Sequence, residues 1–271
     1  MRVAPRPLIT VGVALGYMAI VGVTWSFLGL DYDDVGSTTS TVVEGIVVPV
    51  AIGAVFLAAV TSFLGWWGPA IQEDMRAPKW LWAVPALMFL PGLGFALGGF
   101  GEADRSAGFL LALGVGCLLV GFSEEMLTRG TGLVGLRGGF GEALSWFFSC
   151  LLFGLIHALN AVFGQSIGLT LQQILFAFLA GSVLYVTRRA SGTLVVCMLL
   201  HAWIDFTTFA FSDAAIDAES PFAALAGLQW LAFLLALVGV AVVLRRTGRT
   251  SGRSTGSLSA AWDEGAGRAR P

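Results

Sequence analysis

The stretch GFLLALGVGCLLVGFSEEMLTR, Gly108–Arg129, runs apolar for most of its length and then ends on two adjacent acids and an arginine. A run of about 20 apolar residues is long enough for one membrane-spanning helix. A charged group at membrane depth costs at least a few kcal/mol, so it persists where it is paired, faces a polar cavity or does chemistry. On a helix Glu125 and Arg129 lie four apart on one face, whereas Glu124 points about 100° away. The spacing predicts that Arg129 holds Glu125 and leaves Glu124 free to act.

The rest of the chain is built from similar runs. Its 271 residues are 56% hydrophobic and 12% charged, which excludes an ordinary soluble domain and implies a multi-pass membrane protein. Apolar runs predict eight spans, at about 7–30, 42–66, 80–100, 108–128, 143–163, 167–187, 193–211 and 222–244. The first is too long for the core of a signal peptide and reads as a retained span. The Gly-rich segment 131–141 reads as a turn or interfacial stretch between the fourth and fifth spans. Residues 1–246 form the expected all-α membrane domain, and 247–271, poor in apolar residues, is expected to be a disordered cytoplasmic tail. Cys117, Cys150 and Cys197 sit singly inside apolar runs without metal-ligand spacing and read as small packing residues.

Orientation follows from the basic residues, which stay on the cytoplasmic side of short loops. Arg2, Arg6, Arg76, Lys79, Arg129, Arg137, Arg188, Arg189 and the arginines from Arg245 onward fall on one side of the eight-span scheme, and Arg105 falls on the other. Both termini are therefore expected to be cytoplasmic, and Arg188-Arg189 and Arg245-Arg246 to be topology anchors. Because the fourth span is read as ending near Thr128, Glu124 is expected toward the cytoplasmic end, in a cavity open to that side.

Few ionisable groups lie inside the predicted spans without a loop to explain them: Glu124, Glu125, His157, His201 and Asp205. Both histidines of the chain are among them. His201 and Asp205 share a helix face at four-residue spacing, as do Phe153 and His157, and Asn160 follows His157 by nearly one turn. Amide hydrolysis in a site walled off from bulk water needs such groups. A carboxylate takes a proton from the attacking water, a histidine orients that water or protonates the leaving amine, and fixed donors stabilise the oxyanion. Glu124 is the expected base and His157 its partner, with His201 and Asp205 on the oxyanion side. Glu124, His157 and His201 are equally a ligand set for Zn²⁺ with an open position for water, and spacing does not separate the two chemistries.

Glu124-Glu-x-x-x-Arg129, Phe153-x-x-x-His157 and His201-x-x-x-Asp205, in that order on three spans, resemble the three motifs of the CAAX-protease and bacteriocin-processing (CPBP, or Abi) family, which is related to the type II CAAX prenyl proteases. The resemblance covers about 108–210. It implies an intramembrane endopeptidase in which Glu124 activates water, Glu125 and Arg129 support it, His157 is co-catalyst, and His201 with the residue four later forms the oxyanion side. In the prenyl-protease branch that later residue is typically Asn, and here it is Asp205. The family has been read both as metal-free and as metal-dependent. The expectations are thus a plasma-membrane enzyme that cleaves a peptide or membrane protein near the cytoplasmic face, with the lipid bilayer and no nucleic acid as its other partner. A proton-coupled transporter and a non-catalytic immunity or scaffold protein are the alternatives.

Overall fold

A computed structural model describes residues 1–247 in full and only the backbone of 248–266; the tail expected to be disordered, 247–271, lies from 248 onward outside the fully described residues. Among the described residues the chain is all helical apart from turns, with no strand. Eight helices are long and apolar enough to cross a membrane: α1 (Pro7–Leu28), α2 (Thr39–Leu64), α3 (Lys79–Gly99), α4 (Ala107–Arg137), α5 (Glu142–Val162), α6 (Ile167–Ser191), α7 (Leu194–Asp217) and α8 (Pro221–Thr247). With no water to satisfy the backbone in a bilayer, helices that bond internally are the stable solution for such sequences.

The expected turn at 131–141 is corrected by the structure. The fourth helix does not end at the diacid but continues through a π-helical segment, Met126–Gly130, into Thr131–Arg137. The charges do not break it because Arg129 is fully buried against Glu125 rather than sent to an interface. Glu124 therefore lies near the middle of α4.

Successive helices alternate in direction, so their ends collect on two opposite faces. On one face the Arg2 amide donates to the Leu64 carbonyl, the Glu73 amide to Gly192 and the Ala77 amide to Arg189, which ties together the ends of α2, α6 and α7. This basic face is locked by ion pairs. Arg137 bonds Glu73 at 2.9 Å and Glu142 at 2.6 Å, Arg188 lies 3.2 Å from Glu73, and Arg189 bonds Glu142 at 2.7 Å. Arg188 and Arg189, the expected topology anchors, are thus buried members of this network. Glu73 and Glu142 supply the charge that lets them stay buried. The other, acidic face carries Asp31, Asp33, Asp34, Glu102, Asp104 and Asp213.

α7 packs closely against both α3 and α4, and α6 packs against α5 and α8. Gly121 makes the α4–α7 approach close: a Cβ there would collide with the Met198 carbonyl oxygen. Small residues at such crossings are how apolar helices approach within a bilayer. At this crossing the closeness brings the acids of α4 against His201 of α7.

Candidate active site

The site is assembled from α4, α5 and α7. On α4, Arg129 reaches back one turn and grips Glu125 with two bonds, Nε to Oε2 at 3.0 Å and Nη2 to Oε1 at 2.6 Å. Its remaining arm donates to Thr128 Oγ1 at 2.6 Å, and the Thr128 carbonyl accepts from Ser149 of α5 at 3.0 Å. Both Glu125 and Arg129 side chains are wholly buried. Glu124, by contrast, has no arginine or lysine partner among the described residues, and its side chain is 16% exposed into a cavity.

On α5 the helix is interrupted at His157, between Glu142–Ile156 and Ala158–Val162. The His157 amide bonds the Gly154 carbonyl three residues back. That leaves the Phe153 carbonyl for the ring, and His157 Nδ1–H donates to it at 2.9 Å. A carbonyl can only accept, so this bond fixes the proton on Nδ1 and leaves Nε2 for the cavity.

On α7, His201 Nδ1 lies 3.1 Å from Glu125 Oε1, while Nε2 lies 3.4 Å from Asp205 Oδ2 and 3.9 Å from Glu124 Oε2. From sequence, Asp205 is the expected partner of His201 on the oxyanion side. In the structure Glu125 takes the buried nitrogen, and Asp205 sits beside the one that points into the cavity. Phe153 is the shared wall: its ring meets His157 edge-on at 5.5 Å and His201 at 5.4 Å, and the Arg129 guanidinium lies 4.0 Å over its face.

Glu124, His157, Asn160, His201 and Asp205 all line one cavity. Asn160 donates to Gln173 at 3.0 Å, and Gln173 donates to the Tyr32 hydroxyl at 3.4 Å, which makes a polar wall. Burial raises the Tyr32 phenol above its ordinary pKa, so this hydroxyl stays neutral at the mouth. Sequence reasoning missed Tyr17, Trp25, Tyr32 and Gln173 as lining residues. Only the polarity of Gln172-Gln173 within an apolar span pointed toward them. A second cleft, between α6 and α8 and floored by Phe176 and Phe233, reaches His157, His201 and Asp205 from the side.

The cavity does not open where the sequence reading put it. Its mouth is formed by Tyr32, Val35 and Phe209 at the acidic face. Toward the basic face it is closed by the Glu125–Arg129 pair, by buried Met126 and Leu127, and beyond them by the Glu73–Arg137–Glu142 network. The expectation of a basic-side opening followed from ending α4 too early.

Glu124, His157 and His201, the set that the sequence offers as possible Zn²⁺ ligands, all line the cavity. Among the described residues no three His, Cys, Asp or Glu side chains stand in a metal-holding arrangement. Glu125 is committed to Arg129 and His201, and the bonds on both histidine Nδ1 atoms leave each Nε2 toward the cavity.

Residues 106–207 match the family model described as "Type II CAAX prenyl endopeptidase Rce1-like". The match spans α4 to the middle of α7, which are the helices that carry all three motifs. It agrees with the resemblance read from those motifs. No curated protein and no solved structure gives a match.

Proposed function

We propose that this multi-pass membrane protein is an endopeptidase that hydrolyses a peptide bond inside the membrane with a water activated by Glu124. One observation carries the reading: the acid of the diacid that Arg129 does not hold faces the same cavity as both histidines.

Glu124 takes a proton from a water held between its carboxylate and His157 Nε2. The hydroxide oxygen attacks the substrate carbonyl carbon, and the carbonyl electrons move onto oxygen. His201 stabilises that oxyanion. To donate from Nε2 its ring must carry both protons; Glu125 accepts from Nδ1, and the Asp205 carboxylate balances the charge. The proton gained by Glu124 then passes to the leaving nitrogen as the C–N bond breaks, which yields an acid and an amine. Asp205 in place of Asn thus acts through His201 rather than as a donor itself. No step is routed through a metal.

The test compares purified wild type with Glu124→Gln on a library of quenched fluorescent peptides. Loss of cleavage in a variant that remains folded is expected. Equal cleavage by both would overturn the proposal and return the transporter and scaffold readings to the front.

A further inference from the structure

The cavity mouth and the charge pattern together make a statement about where substrate comes from, provided the protein is the endopeptidase proposed above. We infer that the active site opens to the extracytoplasmic side, and that its substrates are internal peptide segments, neutral or basic, presented from that side.

The first part rests on two independent observations. Both routes to His157 and His201 lead from the acidic half of the bundle. The cavity mouth lies at Tyr32 and Val35, and the lateral cleft runs past Gln165 and Gln229, at the acidic-face starts of α6 and α8. Toward the basic face the site is shut by buried side chains. Separately, basic residues near span ends mark the cytoplasmic side. Arg137, Arg188 and Arg189 could be discounted because they are neutralised inside an ion-pair network. With them left out, Arg2, Arg6, Arg76, Lys79, Arg245 and Arg246 still lie at one face, against Arg105 at the other. The face with the mouth is the one that translocates.

The second part comes from the lining. Among the described residues no lysine or arginine lines either the cavity or the lateral cleft, whereas Glu124 and Asp205 line the cavity and Asp205 the cleft as well. A peptide ending beside the scissile bond would place its terminal carboxylate near two acids, where the His201 cation is already balanced by Glu125 and Asp205, and buried like charges repel strongly. A chain that continues past the site brings no such charge. Basic side chains near the cleavage point would meet the acids of the cavity and of the Asp31–Asp34 connection favourably.

Two measurements test this. Single cysteines are placed in the full chain at the mouth, Ser37→Cys, and on the basic face, Asp74→Cys; both positions are exposed, and the native cysteines are buried. A membrane-impermeant maleimide applied to intact cells is expected to label Ser37→Cys and to reach Asp74→Cys only after permeabilisation. Labelling of Asp74→Cys in intact cells would overturn the inference. In parallel, right-side-out and inside-out vesicles carrying wild type or Glu124→Gln receive quenched peptides of one sequence, with amidated or free C-termini close to the cleavage point. Glu124-dependent cleavage is expected in right-side-out vesicles, at least about tenfold faster for the amide, a ratio that corresponds to about 1.4 kcal/mol. Glu124-dependent cleavage in sealed inside-out vesicles, or a preference for the free acid, would overturn the inference while leaving the protease standing. Absence of Glu124-dependent cleavage even in detergent would overturn the protease, and the maleimide result would still decide which side the mouth faces.

Discussion

His201 Nδ1 lies 3.1 Å from Glu125 Oε1, the same carboxylate oxygen that accepts from Arg129 Nη2 at 2.6 Å. Glu125 therefore joins a charge on its own helix to a ring on another, and it sets which nitrogen of His201 faces the cavity. Replacing Glu125 by Gln leaves Arg129 a fully buried cation without its counter-charge. Removing one partner of a buried pair costs about 3–5 kcal/mol, so Glu125→Gln is expected to lower the melting temperature and the activity together. An unchanged melting temperature would contradict the role assigned to this pair.

Glu124 should behave in the opposite way. It has no salt-bridge partner among the described arginines and lysines, and it is partly open to the cavity. Glu124→Gln is expected to reduce turnover by about 10²–10⁴-fold, the range for loss of a positioned base, with a melting temperature within a degree or two of wild type. Measuring both on the same preparation separates the base from its buried neighbour.

Asp205 is 27% exposed and lies 3.4 Å from the cavity nitrogen of His201. An amide at this position keeps the shape and can itself donate to an oxyanion. Asp205→Asn is thus expected to fold normally and to keep turnover within about tenfold of wild type, as befits the loss of a modest charge interaction. A loss as deep as that of Glu124→Gln would mean that Asp205 moves a proton directly.

Much of this architecture was legible in the sequence, for reasons that also mark the limit. Long apolar runs announce spans, and pairs four residues apart announce neighbours on one helix, so the eight helices and the Glu125–Arg129 grip followed from spacing. Spacing says nothing about how one helix is rotated against the next. The Glu125–His201 contact bridges residues 76 apart, and the Asn160–Gln173–Tyr32 wall joins two helices to a connecting segment. Neither has a local signature. The continuation of α4 through Arg137 was hidden because a charged residue reads as a span end unless its buried partner is known, and that error carried over to the side on which the cavity opens.

Phe153 offers a test of the shared wall. Its ring contacts two imidazole edges and one guanidinium, so it shapes the site without carrying charge. Phe153→Leu keeps an apolar side chain but loses the aromatic face under Arg129, worth about 0.5–2 kcal/mol. The expected result is a modest fall in melting temperature and a clearly larger fall in turnover than in KM, because the histidines lose their common edge contact. Equal effects on KM and turnover would assign Phe153 to substrate binding instead.

Metal dependence is a separate measurement on the same site. Both histidines spend Nδ1 on neighbours and keep Nε2 for the cavity that Glu124 also lines, but no three ligating side chains converge on a metal position among the described residues. A site that worked through Zn²⁺ would lose its activity on prolonged chelation and regain it with added metal, since ligand and metal dissociate reversibly. Here the expected outcome is that purified protein dialysed against a strong chelator keeps most of its peptide cleavage, and that Zn²⁺ added afterwards does not raise it. Full loss on chelation, restored by Zn²⁺ in wild type but not in His157→Ala, would show that the side chains rearrange to bind metal and would replace the glutamate-activated water with a metal-bound one.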